Sequence, residues 1–129
     1  MAKWVRSGVL DNGLNDIKTN ATKMLLLKAY TFGDSYATVT GGSNILAEVV
    51  MTSGDYTLAS SGNNRTLTTA SGKSATASNS SVAGDDLHFA FTDGSSAVIW
   101  VTDETSNQVI TSGNTVNFPQ LVYTSNQPT

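Results

Sequence analysis

Between Thr22 and Tyr30 the chain reads TKMLLLKAY, apolar at adjacent positions where a solvent-facing strand would alternate. Its uncharged core, Met24 to Leu27, is far too short to cross a bilayer. The pattern therefore predicts a central strand, with Lys23 and Lys28 near its ends. At 129 residues the chain can build one core without staples. It has no cysteine, which excludes both a disulfide framework and a thiolate zinc site.

Ahead of that strand the spacing is helical. Leu10, Leu14 and Ile17 fall at i, i+4 and i+7, on one face of a helix. Ser7 or Asp11 is expected to cap its start, and Asn20 suits a left-handed stop. Gly13 weakens this helix by about 1 kcal/mol relative to Ala, so it depends on the body of the domain. Downstream the signals are those of strands and turns. Phe32 to Gly42 reads as a turn-rich connection holding Tyr36 and Val39. Asn44 to Met51 reads as a strand with helix as the competing assignment. Asp55–Ala59 and Arg65–Ala70 read as two arms around Ser61-Gly62-Asn63-Asn64.

Residues 71–86 hold little to bury and read as a surface loop or an edge strand. The clearest hairpin turns at Asp93-Gly94. Leu87, Phe89 and Phe91 share one face of its first arm. Val98 and Trp100 share one face of the second, with Ile99 and Val101 on the other, which predicts that the second arm lies mid-sheet. A further turn at Ser112-Gly113-Asn114 joins Gln108–Thr111 to Thr115–Thr124, the latter broken by Pro119. The fold class expected is mainly β: an antiparallel β-sandwich or jelly-roll-like body of eight or so strands with one short N-terminal α-helix. Residues 1–129 form a single β-rich domain, of which 1–8 is an extended N-terminal arm.

Ser, Thr, Asn and Gly make up 56 of the 129 residues, whereas only 13% are charged. A typical soluble domain carries roughly a quarter charged residues, so this surface is built for uncharged polar contact. Seven Lys and Arg with a net charge of −3 provide no basic stripe for nucleic acid. The opening residues lack the apolar core of a signal peptide, and synthesis in a cytoplasm is expected.

Catalytic, cofactor and metal motifs are not found. The one histidine, His88, lies on a strand opposite the Leu87, Phe89 and Phe91 face, where a rim position is expected rather than a catalytic one. Asp85-Asp86 reads as a polar turn rather than a calcium loop. Asp103-Glu104 is expected to pair with Arg65 or a lysine. The remaining candidate is a partner-binding arm at Lys3, Trp4, Val5 and Arg6, since Trp and Arg are enriched at interface hot spots. The competing reading of the same arm is a hydrophobic cover folded back on its own domain.

The chain also resembles a family of small virion proteins of tailed bacteriophages. The likeness lies in Leu10-Asp11, Leu14-Asn15, Ile17-Lys18 and Asn20-Ala21-Thr22, then Gly54-Asp55-Tyr56, Gly113 to Asn117, and Pro128-Thr129. It covers the chain from about residue 9 onward and is weakest across 71–84. Many members carry Cys after the Asn-Ala-Thr segment, where this chain has Met24-Leu25-Leu26-Leu27. The resemblance implies a capsid cement (decoration) protein on the virion surface, bound to the major capsid protein as a homo-oligomer, dimer or trimer, without catalysis, nucleic acid or membrane. A head-completion or tail component, or a carbohydrate- or receptor-binding module, is the alternative.

Overall fold

The computed structural model describes residues 2–129. The chain enters through helix α1 (Ser7–Asn20) and passes directly into strand β1 (Lys23–Leu27). A second, short helix α2 (Tyr36–Thr40) leads to β2 (Ile45–Val50). A 3-10 turn at Ser53–Asp55 then starts β3 (Tyr56–Ser61), β4 (Asn64–Thr69) and β5 (Lys73–Thr76). The chain continues through β6 (His88–Thr92), β7 (Val98–Asp103), β8 (Thr115–Phe118) and β9 (Val122–Ser125). All pairings are antiparallel: a four-stranded sheet β2-β1-β6-β7, a three-stranded sheet β3-β4-β9 and a ribbon β5-β8. The body is mainly β and sandwich-like, as the sequence pattern predicts.

β1 is central, as expected, with Met24 opposite both Val49 and Phe91. Met24 and Leu26 enter the main core with Leu46, Phe89, Phe91, Tyr56, Leu67, Val116 and Phe118, which joins all three sheets. Leu25 and Leu27 point the other way, into a second cluster with Ala90 and Val39. Val39 belongs to α2, which covers this outer face. Here the sequence reading of Phe32 to Gly42 as turns is corrected. Ser35 caps the helix by accepting from the Thr38 N–H at 3.2 Å, and burying Val39 holds a single turn that propensity alone would not.

α1 lies against the three-stranded sheet and buries Leu10, Leu14 and Ile17, the face read from their spacing. Neither end is built as expected. Arg6 is the N-cap, without a side-chain bond, and Ser7 is already helical. Asp11 is turned to Arg65 instead, at 2.7 Å. At the other end Asn20 is helical and Ala21 is extended (φ −79°), because Thr22 must at once donate to Thr92 across the sheet at 2.9 Å. A left-handed residue would send the chain away from that register. The freed Ala21 carbonyl is satisfied by the buried Tyr56 hydroxyl at 2.7 Å, and Lys18 Nζ donates to the Tyr56 carbonyl at 3.1 Å. Burial pushes the Tyr56 phenol well above its ordinary range, so it stays protonated and donates.

Three turns share one construction. In Thr31-Phe-Gly-Asp34, Thr52-Ser-Gly-Asp55 and Val82-Ala-Gly-Asp85 the Asp N–H donates to the carbonyl three residues back, at 2.9, 3.0 and 3.1 Å. The Asp carboxylate in turn accepts the N–H of that same residue, at 2.8, 2.7 and 2.8 Å. A carboxylate thus closes each turn from the side-chain direction as well as the main-chain one. The hairpin at Asp93 uses the same chemistry at larger size. Its Oδ1 accepts from the N–H groups of Ser95, Ser96 and Ala97, and these bonds hold the carboxyl well below the usual carboxylate range.

Two more expectations are corrected, for β7 and for Gln108–Thr111, while an edge strand within 71–86 and the break at Pro119 are found as read. β7 is an edge strand rather than a mid-sheet one, and a bulge at Ile99 breaks its alternation, since Phe91 pairs with Trp100 but Thr92 with Val98. Ile99 and Trp100 therefore both meet the main core, while Val98 and Val101 meet the second cluster. Residues 73–76 form β5, paired with β8, and the following Ser78 and Asn79 bond the carbonyls of Leu46 and Ile45 on the β2 edge. Gln108–Thr111 is not a strand; Ile110 exchanges bonds with Ser81 through both its N–H and its carbonyl. Pro119 does break the last strand, and the halves β8 and β9 go to different sheets.

Leu14 is fully buried, so Leu14→Ala is expected to cost about 2–5 kcal/mol, read as a lower urea midpoint at unchanged slope. Tyr56→Phe strands the Ala21 carbonyl and should cost about 1–3 kcal/mol in the same assay. Asp55 is raised by burial, but the Thr52 N–H and hydroxyl and Lys73 (3.0 Å) outweigh that and hold it below its ordinary 3.8. Its folded value is depressed, so its contribution is present above 3.8 and lost as pH falls through the folded value. Urea midpoints at about pH 7 and about pH 3 should therefore differ less in Asp55→Asn than in the parent.

Candidate functional site

The arm predicted as a partner contact, Lys3-Trp4-Val5-Arg6, is extended and pinned to the far end of the chain. The Val5 N–H donates to Gln127 Oε1 at 2.9 Å, and Gln127 Nε2 donates back to the Val5 carbonyl at 2.9 Å. Lys3 Nζ reaches the Thr129 carbonyl at 2.6 Å. Gln127 is itself placed by its N–H to Asn64 Oδ1 (2.8 Å) and its Nε2 to the Asn63 carbonyl (2.9 Å), at the β3–β4 turn. That turn is tight because Gly62 takes a φ of +59°, which a side chain would oppose. The extended arm ends at Arg6, so residues 7 and 8 of the expected 1–8 arm belong to α1, and Met1 lies outside the described residues.

The arm folds back, yet Trp4 is left largely uncovered. Its side chain is 75% exposed, while the backbone one residue on is held by two hydrogen bonds. Beside the arm, α1 and β9 border a concavity of about 330 Å³ lined by Val9, Leu10, Ile99 and Tyr123. Val9 and Tyr123 are exposed there, and Val122 is exposed at the adjacent position of β9. Tyr123 is met edge-on at 5.4 Å by Trp100, which stacks on Phe91 (4.5 Å between centroids, 9° between planes). Sequence reasoning did not single out Val122 and Tyr123, which fall in a continuous apolar run within Thr115–Thr124 yet are exposed on β9, an edge strand of its sheet. Phe32, 99% exposed at the tip of the first Gly-Asp turn, was likewise read only as part of a connection.

A second concavity, about 380 Å³, opens over Leu26 and Phe89 and is walled by Gln108, Ile110, Thr115, Asn117 and Pro119. Glu104 is the charged residue at its rim and is occupied by Ser106, whose hydroxyl donates to it at 2.7 Å. The expected pairing of Asp103-Glu104 with Arg65 or a lysine does not form, because Arg65 is committed to Asp11 and Ser60. His88 stands at the β6 rim as expected, half-buried, with its ring 5.7 Å from that of Tyr30. Asp85 closes its turn by accepting from the Val82 N–H, as the polar-turn reading requires. No helix among the described residues is long and apolar enough to cross a membrane. Comparison with protein-family models, with curated proteins and with solved structures finds no match for this chain.

Proposed function

We propose that this chain is a bacteriophage capsid cement protein: it binds the major capsid protein, stabilises the assembled shell and performs no catalysis. The observation that carries the reading is Trp4, displayed on a backbone that its own domain holds rigid. A large aromatic with few rotatable bonds, presented on a pinned arm between Lys3 and Arg6, has little entropy left to lose on docking. The resemblance of the Leu10 to Thr22 segment to small virion proteins of tailed bacteriophages supplies the partner. A hydroxyl- and amide-rich surface of low charge suits contact across capsomer boundaries. Attachment to the shell alone stabilises the shell by mass action, through interfaces of roughly 1,200–2,000 Å². Symmetric association into a dimer or trimer would multiply such contacts.

Purified protein added to expanded capsids that lack it should co-sediment with them and raise their melting temperature. Shells equally stable with and without it would sink the proposal. A head-completion or tail role predicts a few copies at one vertex or axis, where cement predicts copies over the whole lattice; quantitative mass spectrometry of particles separates the two. Trp4→Ala should weaken capsid binding by about 2 kcal/mol, roughly thirty-fold in Kd, with an unchanged urea midpoint. Gln127→Ala keeps Trp4 but frees the arm, and a smaller loss of about 1 kcal/mol is expected from the ordering it then requires.

A further inference from the structure

The chain has ten carboxylate side chains, and eight of them accept a hydrogen bond or ion pair from the protein. Among the described residues the two that do not are Asp86 and Asp103, and both lie beside the one histidine of the sequence. Asp103 is the direct cross-strand partner of His88 in the β6–β7 ladder. Asp86 lies two residues before His88, the spacing that returns a side chain to the same face of an extended segment. A ligand atom of each of the three lies within 4.8 Å of the other two. No lysine or arginine forms an ion pair with either carboxylate among the described residues.

We infer that Asp86, His88 and Asp103 form a binding site for a divalent transition metal of the zinc class. The imidazole is already anchored through one of its nitrogens. His88 Nδ1 lies 3.0 Å from the Asp86 carbonyl, and a proton on Nδ1 donated to that oxygen leaves the Nε2 lone pair free. The backbone between the ligands is fixed on both sides. The Leu87 N–H donates to Asn107 Oδ1 at 2.9 Å, and the Leu87 carbonyl accepts from the Glu104 N–H at 2.9 Å. Zinc holds such donors at about 2.0–2.2 Å, hence about 3.4 Å from one another. Closing from the observed spacing takes only rotation of two exposed carboxylates that have no other partner. Two carboxylates and an imidazole make three ligands, with the fourth position toward solvent for a water. Calcium, which takes six to eight oxygens, is poorly served by this set.

Because the chain has one histidine, its imidazole nitrogens report the site directly in a long-range proton–nitrogen-15 spectrum. Zinc chloride titrated into the chelator-stripped full chain should shift the Nε2 resonance and saturate at one equivalent by calorimetry. Magnesium and calcium at the same concentrations should leave it in place. Asp86→Asn and Asp103→Asn should each weaken zinc binding at least about ten-fold, and His88→Gln should abolish it. Both carboxylates are exposed, so their variants should keep the parental urea midpoint, and the test rests on them rather than on the half-buried histidine. An unmoved imidazole in the parent, equal zinc affinity in the two Asn variants, or calcium competing at the same concentration would each overturn the site. Capsid binding is measured without added metal, so failure of either proposal leaves the other standing.

Discussion

The architecture depends on a strand that water reaches on neither face. Met24, Leu25, Leu26 and Leu27 alternate between two separate apolar clusters, so the sheet containing them needs a cover on each side. The inner cover is substantial: the other two sheets and α1 meet it through Tyr56, Leu67, Val116 and Phe118. The outer cover is small, a single turn of helix bringing Val39 over Leu25, Leu27 and Ala90, with Tyr30 and Ile45 at its rim. Tyr56 joins the two ends of this arrangement. Its ring packs in the core beside Phe91, and its hydroxyl ends α1 at the point where β1 must begin.

What could be read in the residues was whatever repeats within a few positions. The α1 face, the two-sided burial of β1, the Asp93-Gly94 turn and the break at Pro119 are all local patterns, and each stands where the spacing placed it. Features that depend on a distant partner were illegible. β5 has too little apolar content to be told from a surface loop, and only its pairing with β8 some forty residues later decides for the edge strand. The Ile99 bulge, which turns Trp100 toward the core, depends on register with β6. α2 did carry a signal, the Ser35 cap, but one buried valine is too little periodicity to identify a helix.

The candidate site divides the same way. Lys3 to Arg6 stood out by composition, but the exposure of Trp4 follows from Gln127, 122 residues from Val5 in sequence. Asp86 and His88 were each read separately as ordinary surface residues. Only the β6–β7 register places Asp103 opposite them. The Gly-Asp turns explain why these two acids are unusual: in a chain with few charges, carboxylates serve mainly as the side-chain half of a turn.

The break at Pro119 has a temporal meaning as well as a spatial one. β4 pairs with β9, which leaves the ribosome well after it, so its outer edge stays open in the interval. Gln127 comes later still, and until it arrives nothing holds the Val5 backbone. A nascent or misfolded chain therefore carries Trp4 on a loose segment, and a folded one carries it on a fixed mount. Presentation of the aromatic is in this way conditional on successful folding.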